Sequence, residues 1–435
     1  MIIGLKKYIE YIKTKGADFK GSVYAQILKN ERIKRNMTLN DFAEGVCSIS
    51  YLSKLENGAI KSNESFYEKL FEKIQIDYKG LDEDGYDKLL DETIKYYFNN
   101  DHSNLEINFE KIKRMTNIAS NSIIKCFYYL KLNYTDLFKQ SFKELNDIKE
   151  TFGYYEACCF IFLAVEHLIK MNNYQKALIY LKNLELLEIK NKYLNFLILE
   201  RNILVSAFLG KSSRVIVYYQ KINQLAYIGY PSGRMLELRL LYNLSLSDEF
   251  AIEVLEDIES INYEVIPEEN RLNILYYVYL IKIKYSNLKN VFEDIYHQGY
   301  FIDPRFFGLL GYCAYFANVK EYYRLITDLL IDYPFSSIDK IHDRFTNFIS
   351  LYSSKAPRAE VISTLRNEII PSLNEENFYL YHEIYIDVYM SLLKEESHYK
   401  EAFNYMNNQR TQFYKRSNKC NDDSLNVNKI KPKKK

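Results

Sequence analysis

The sequence predicts an all-α protein in which a small N-terminal domain precedes a long array of paired helices. Apolar residues recur at helical spacing from end to end, and strand-like alternation is never sustained. Glycine (14) and proline (7) are scarce among 435 residues, which favours long helices joined by short connections over a strand-rich fold. A chain of this length is too long for one core and indicates two or three domains.

Charge is unevenly distributed along the chain. The formal net charge of +1 excludes a uniformly basic protein. Residues 1–37 nevertheless hold nine lysines and arginines against three acidic residues. Such a local excess is a candidate phosphate-facing surface, although charge runs are more often solvated faces. The nine are Lys6, Lys7, Lys13, Lys15, Lys20, Lys29, Arg32, Lys34 and Arg35.

Catalytic and metal-binding patterns are missing from the sequence. The six cysteines have no spacing suited to zinc or to a disulfide framework, and the six histidines are scattered. Gly210-Lys211-Ser212 resembles the end of a phosphate loop, but Val205 stands where the first glycine is required. No segment matches a signal peptide or a membrane span. We therefore expect a non-enzymatic, cytoplasmic protein without cofactor, metal or membrane partner.

The first specific pattern lies within Val23–Ile74. An apolar-periodic helix containing Ile27, Leu28 and Ile33 is followed by Thr38, a helix N-cap with Asp41 three residues on. The next helix, Leu39–Val46, carries the small Ala43 where two helices cross closely.

The following helix contains Leu52 and Leu55. Ser48 or Ser50 caps its start, and Asn57-Gly58 ends it with a left-handed turn. Ser62, with Ser65 nearby, is expected to open a fourth helix.

These roughly 50 residues resemble the Xre/phage-repressor class of helix-turn-helix domains. The matching positions are Arg32, Thr38, Phe42, Ala43, Ser50, Leu55, Glu56, Asn57 and Gly58. The resemblance implies that Arg32, six residues before Thr38, pairs with Glu56 and fixes the recognition helix. As an exposed ion pair this contact would add little stability. Cys47 and the early Gly45 depart from the pattern and indicate an unusual turn.

The same resemblance implies a DNA-binding surface. The recognition helix would enter the major groove through Ser48, Ile49, Ser50 and Lys54, with Tyr51 at the edge. Backbone phosphates would be contacted by Lys29, Arg35 and Lys61, and Arg32 would be oriented toward a phosphate. Motifs of this kind also mediate protein contacts, so a scaffold that never binds specific DNA remains an alternative.

A succession of helices is predicted from residue 83 onward. Four phrases share a tetratricopeptide-like pattern at a repeat near 35–40 residues. They are NNYQKALIYLKNLELLEI (172–189), GKSSRVIVYYQKI (210–222), ANVKEYYRLITDLL (317–330) and SHYKEAFNYMNNQ (397–409). Stacking of such pairs predicts a right-handed α-solenoid, with a non-repeating bundle as the alternative. The predicted spans are 83–98, 104–118, 120–131, 134–149, 152–170, 173–186, 191–210, 212–226, 232–246, 248–262, 267–286, 287–299, 304–316, 318–332, 336–353, 357–369, 375–394 and 397–414.

An Xre-type domain before degenerate tetratricopeptide repeats resembles the Rgg/PlcR/PrgX-like, peptide-pheromone-responsive regulators of quorum sensing. That resemblance implies a homodimer that binds an operator in double-stranded DNA and a short signalling peptide within the solenoid. An extended peptide offers unpaired amides, which require donors and acceptors on the inner helices. The candidate peptide-binding residues are Asn202, Arg239, Asn243, Arg271, Asn273 and Tyr277.

The predicted domains are a helix-turn-helix domain (1–80), a helical-repeat sensor and dimerisation domain (81–415) and a polar, basic, disordered tail (416–435). The alternative function is a DNA-binding regulator whose helical domain binds a protein partner or only dimerises. Single residues of the peptide set are as readily explained by helix–helix contacts or by solvent exposure.

Overall fold

The computed structural model describes residues 2, 4–17, 22–60, 62–76, 83–113, 118–225, 232–246, 250–262, 266, 268–332, 340–375 and 379–408. Over these ranges the chain is helical and contains no strand, which confirms the predicted all-α class. Two compact units are present, Met1–Ile274 and Leu275–Lys435. The predicted tail, 416–435, lies outside the described residues.

Helices α1–α15 belong to the first unit. They are α1 (Leu5–Lys15), α2 (Val23–Lys34), α3 (Leu39–Ala43), α4 (Ile49–Glu56), α5 (Glu64–Lys73), α6 (Glu83–Phe98), α7 (His102–Lys113), α8 (Ala119–Lys131), α9 (Thr135–Ile148), α10 (Tyr154–Lys170), α11 (Tyr174–Leu184), α12 (Lys192–Phe208), α13 (Ser212–Gln224), α14 (Ser232–Asn243) and α15 (Ala251–Glu259). A 3₁₀ turn, Lys149–Thr151, joins α9 to α10.

The boundary between the units falls inside α16 (Glu268–Tyr285). The second unit continues with α17 (Leu288–His297), α18 (Arg305–Ala317), α19 (Lys320–Asp332), α20 (Lys340–Ser353), α21 (Arg358–Thr364), α22 (Ile370–Glu375), α23 (Tyr379–Glu395) and α24 (399–408).

Most predicted helices lie within a few residues of the observed ones, with two clear differences. Helix α1 was not predicted, because its short apolar pattern is interrupted by lysines. The predicted helix 357–369 continues through the π turn Leu365–Ile369 into α22, past Pro371. The wider π turn lies just before Pro371, which has no N–H to donate and would otherwise break the helix.

Helices α2–α5, which we call the N-terminal cluster, share one apolar core. Leu28, Phe42, Leu52 and Phe71 are among its buried side chains. Ile118, which precedes α8, belongs to the same core although it lies outside the cluster. The cluster is therefore not closed on itself, and the predicted boundary near residue 80 does not coincide with a boundary between compact units.

A buried polar network docks the N-terminal cluster onto α8 and α10. The Gln26 side-chain amide donates to Glu156 Oε2 (2.8 Å), and its oxygen accepts from the Ala119 N–H (3.0 Å). The Ser120 hydroxyl donates to Glu156 Oε1 (2.7 Å), and the Gly153 N–H donates to Oε2 (3.0 Å). Every member has a partner, so the network satisfies the rule that buried polar groups are hydrogen-bonded. We call these five residues the docking network.

Helix α10 lies at the centre of the first unit. Thirteen of its residues are buried, including Cys158, Phe160, Phe162 and Leu163. It packs against α1, α8, α11 and α12. A helix that is apolar on all sides must be surrounded by other helices, and α10 meets that requirement.

The connections between paired helices repeat one conformation. In the first unit one residue with a left-handed backbone conformation lies in each connection from α6 to α7, α8 to α9, α10 to α11 and α12 to α13. These residues are, in order, Asn100, Asn133, Asn172 and Gly210, and successive ones are 33, 39 and 38 residues apart. The next N–H closes the turn, as from Asn173 to the Leu168 carbonyl (2.8 Å). The second unit repeats the conformation at Asn318, Lys355 and Ser397, 37 and 42 residues apart. The four repeated phrases in the sequence begin at or beside Asn172, Gly210, Asn318 and Ser397.

The second unit contains a close helix crossing around α18. A Cβ atom added at Gly308 would lie 2.8 Å from the Tyr385 hydroxyl oxygen, and one at Gly311 would lie 2.6 Å from Ile349 Cδ1. Glycine at these two positions therefore leaves room on α18 for the Tyr385 hydroxyl of α23 and the Ile349 side chain of α20. Among the described residues, no helix is long and apolar enough to cross a membrane.

Gln26→Ala should open the docking network without altering the helices themselves. The Ala119 amide is at the start of α8 and has no intrahelical acceptor, so its protection depends on Gln26. We expect amide hydrogen exchange at Ala119 to accelerate in the variant, while Ser122, whose N–H donates to the Ile118 carbonyl, stays protected. Equal exchange at Ala119 in both proteins would contradict this role of Gln26.

Candidate nucleic-acid interface

Helix α3 begins with a complete capping box. The Thr38 hydroxyl accepts from the Asp41 N–H (3.2 Å), and Asp41 Oδ2 accepts from the Thr38 N–H (3.0 Å). These hydrogen bonds lower the pKa of the Asp41 carboxyl. The helix ends at Ala43, earlier than the predicted Val46, because the chain turns through Gly45 at φ +74°. A left-handed glycine at this point sets the angle between α3 and α4.

Lys73 holds the same turn from the end of α5. Its ammonium group donates to the carbonyls of Asp41 (2.8 Å), Phe42 (3.2 Å) and Glu44 (2.7 Å). These carbonyls lie at the end of α3, where helical acceptors are left without partners. Sequence reasoning missed Lys73, since no local pattern links a lysine to carbonyls about 30 residues earlier.

Arg32 and Glu56 form a two-pronged ion pair. Arg32 Nε and Nη2 donate to the two Glu56 carboxylate oxygens (2.7 and 2.8 Å), and Nη1 donates to the Met37 carbonyl (3.0 Å). Glu56 is only 2% exposed. The pair is therefore not the exposed contact that the sequence suggested, and removing Arg32 alone would leave a buried carboxylate without its partner, which is strongly destabilising. Arg32 is held inside and is not directed to a phosphate.

Helix α4 presents a polar, exposed first turn. Ser48 caps it by accepting from the Tyr51 N–H (3.2 Å). Ser48, Ser50 and Lys54 are exposed, and Ile49 is 48% exposed although it is apolar. Leu52 and Leu55 on the opposite face are buried. Ser50 and Lys54, four residues apart, therefore share the accessible face of α4, while Ser48 and Ile49 are exposed at its N-terminal end and the opposite face is anchored in the cluster.

Tyr51 lies at the edge of that face, half-buried. Its hydroxyl donates to Ser62 Oγ (3.1 Å), and its ring packs edge-on against Phe66 (5.0 Å between centroids). Ser62 does not cap α5 as expected, since Asn63 accepts from the Phe66 N–H (3.1 Å) and is the N-cap.

Of the predicted phosphate contacts, Lys29 is held in an internal ion pair, whereas Arg35 is exposed and lies near Glu31 (3.6 Å). Lys29 is 12% exposed and donates to Glu150 Oε2 and Asn57 Oδ1, both at 3.2 Å. Arg35 donates to the Ile74 carbonyl (2.5 Å). The expectation that Lys29 contacts DNA is corrected by its burial between α4 and the turn after α9. Lys61 lies outside the described residues.

Helix α1 reaches the same junction. The Tyr11 hydroxyl lies 2.9 Å from the Glu150 carbonyl and 3.5 Å from the Asn57 carbonyl, and the Tyr8 hydroxyl donates to the Lys149 carbonyl (3.0 Å). The 3₁₀ turn between α9 and α10 thus contacts α1 directly and the end of α4 through Lys29.

The residues predicted to grip a peptide mostly bind other side chains. Asn202 is fully buried, donates to the Ile198 carbonyl (3.0 Å) and accepts from Arg214 (3.1 Å). Arg239 forms a two-pronged pair with Asp257, and the buried Asn243 donates to the same carboxylate (3.3 Å). In the structure the amides of Asn202 and Asn243 therefore connect neighbouring helices.

The remaining three candidates lie on α16. Tyr277 is buried, which also removes it from a ligand surface. Arg271 is exposed and Asn273 is partly exposed.

A cavity of about 440 Å³ lies elsewhere, between α11, α12 and α13. Its lining combines apolar side chains with the Asn195 and Gln224 amides and with Glu185 and Lys221, and it includes none of the six predicted residues. No sequence signal pointed to it, because its lining comes from the ends of three helices. Among the described residues, no cluster of histidine, cysteine, aspartate or glutamate is arranged to hold a metal ion.

Comparisons with protein-family models, with curated proteins and with solved structures give no match to this chain.

Arg32→Ala should lower the free energy of unfolding by about 3 kcal/mol, because it leaves the buried Glu56 carboxylate without its partner. Urea unfolding of the full chain measures this difference. Lys34→Ala, which removes only the exposed contact to Glu31 (3.4 Å), should change it by less than about 0.5 kcal/mol. Similar small effects of both substitutions would show that the Arg32 pair is not a structural anchor.

Proposed function

We propose that the protein is a sequence-specific, DNA-binding transcriptional regulator. In this proposal α3 and α4 form an Xre-type helix-turn-helix, and α4 is the recognition helix that enters the major groove. The observation that carries it is the exposed N-terminal end of α4, where Ser48, Ile49 and Ser50 are accessible and Lys54 follows on the same face as Ser50, on a helix whose opposite face is buried.

The chemistry of this face suits base edges. Serine and lysine side chains donate hydrogen bonds to acceptors in the major groove, and an exposed isoleucine can contact a thymine methyl group. The Arg32–Glu56 pair joins α4 to α2, and the Lys73 ammonium group holds the turn between α3 and α4. These contacts fix the angle of α4, and selective contacts to base edges require a fixed angle. A homodimer would present two such helices to two half-sites.

For the helical repeats, we propose a right-handed, tetratricopeptide-like solenoid that responds to a short peptide. The recurring left-handed turns and the antiparallel packing of α8 on α9, α10 on α11 and α12 on α13 support the repeat architecture. The candidate ligand site is therefore the cavity between α11, α12 and α13, in place of the six residues proposed from the sequence. Its amides and apolar lining suit a short extended segment.

A second candidate is that the repeats bind a protein partner or a second copy of the chain. Tyr399, Phe403 and Met406 follow one another at helical spacing on α24 and are 65%, 64% and 59% exposed. Ala402 and Tyr405 occupy the inner side, where Tyr405 packs against Tyr389. An exposed apolar stripe at helical spacing favours a contact with another surface.

Lys54→Ala tests the recognition helix. A duplex is first selected by the full-length protein from a random library, and binding is then compared with random duplex at about 150 mM salt. We expect the variant to lose about 1–3 kcal/mol on the selected site and far less on random duplex.

Lys69→Ala is the matched control, because Lys69 is also exposed but lies on α5. It should leave discrimination intact. If the parent protein does not distinguish any selected duplex from random DNA, the proposed function is wrong.

A further inference from the structure

The N-terminal cluster has little positive charge of its own. Residues 22–76 hold eight lysines and arginines against seven acidic residues. Lys29 and Arg32 are held in internal pairs, and Arg35 donates to the Ile74 carbonyl. A surface that binds duplex DNA must neutralise several phosphates, and this cluster alone does not supply the charge.

Helix α1 carries the missing charge. Its eleven residues contain four lysines and one glutamate. Lys6, Lys7 and Lys13 are exposed, and none of them forms an ion pair within the described part of the chain. Lys15 instead lies over the Tyr11 ring, 4.4 Å from its centroid.

The position of α1 is set by buried contacts. Ile9 and Ile12 are buried, and the helix packs against α10 and α11. The Tyr11 hydroxyl approaches the Asn57 carbonyl at the end of α4 (3.5 Å). Lys7 lies one helical turn before Tyr11 and therefore on the side of α1 that approaches α4.

The spacing of the lysines suits a polyanion. Lys6 and Lys13 share a face seven residues apart, which is roughly 10 Å along a helix. Measured along the duplex axis, that length covers about three base-pair steps. Lys7 lies toward the end of α4, whereas Lys6 and Lys13 lie on a neighbouring exposed side of α1. Together these unpaired ammonium groups make an exposed basic surface that is complementary to a sugar–phosphate backbone.

We propose that the exposed face of α1, through Lys6, Lys7 and Lys13, binds the backbone phosphates of duplex DNA and supplies the sequence-independent part of the affinity. This rests on the proposed function, and it assigns to α1 the role that the sequence suggested for Lys29. Glu10 lies on the same exposed face and opposes the contact.

The test is the salt dependence of duplex binding by the full-length protein. The triple variant Lys6→Gln, Lys7→Gln, Lys13→Gln should bind selected and random duplex more weakly by a similar factor. The slope of log affinity against log salt should become shallower by about two to three. Glu10→Gln should act in the opposite direction and tighten binding to both duplexes, a gain that misfolding cannot produce.

A matched control replaces three exposed lysines on other helices, Lys95, Lys111 and Lys192, and should leave the slope unchanged. A parent-like slope in the α1 triple variant would overturn the inference while leaving the proposed function standing. The inference would also be overturned if the α1 triple variant lost binding to phosphatidylserine vesicles while its slope for duplex binding stayed the same as that of the parent protein. A parent protein that binds no duplex would refute both.

Discussion

The docking network around Glu156 is the constraint on which the rest of the first unit depends. A carboxyl group is placed in the interior, where burial raises its pKa, and it is surrounded by the Ser120 hydroxyl, the Gly153 N–H and the Gln26 amide. Removing any one donor would leave a buried polar group unsatisfied, at a cost of about 1–3 kcal/mol. Because Gln26 belongs to α2 and Glu156 to α10, this chemistry joins the N-terminal cluster to the helical repeats.

Contacts around Glu150 link α4 to the turn between α9 and α10. Lys29 on α2 and Tyr11 on α1 both contact Glu150, in the turn between α9 and α10, and Lys29 also bonds Asn57 at the end of α4. A shift of α10 against α9 would therefore be transmitted to α4 through these contacts. In a dimer, the separation of the two recognition helices would follow from how the helical units meet, rather than from a tether.

Local patterns in the sequence predicted the helices and the first turn of α4 well. Thr38 with Asp41, Ser48 before α4 and Asn57-Gly58 after it are signals carried by neighbouring residues, and the structure shows the corresponding caps. The all-α class followed from helical periodicity and from the scarcity of glycine and proline.

Roles that depend on distant residues were not predictable. The sequence alone predicts an exposed cation at Lys29, but in the structure its ammonium group bonds Glu150, 121 residues away. The sequence alone suggests Asn202 as a ligand-binding group, but in the structure its amide oxygen accepts a hydrogen bond from Arg214. No local pattern indicates that Lys73 donates to three backbone carbonyls. The docking of the N-terminal cluster onto α8 was not predictable for the same reason, since Gln26 and Ile118 join segments that are far apart in the sequence.

The most direct test of the account is whether the N-terminal cluster is held in one position on α8–α10. Spin labels at Ser50→Cys on α4 and Lys143→Cys on α9, with Cys47 and Cys420 replaced by serine, allow their separation to be measured by double electron–electron resonance in the full chain. The docking network predicts a single, narrow distance distribution that broadens when Gln26→Ala and Glu156→Ala are combined. A broad distribution in the protein with its network intact would show that the cluster is tethered rather than docked, and would contradict the account.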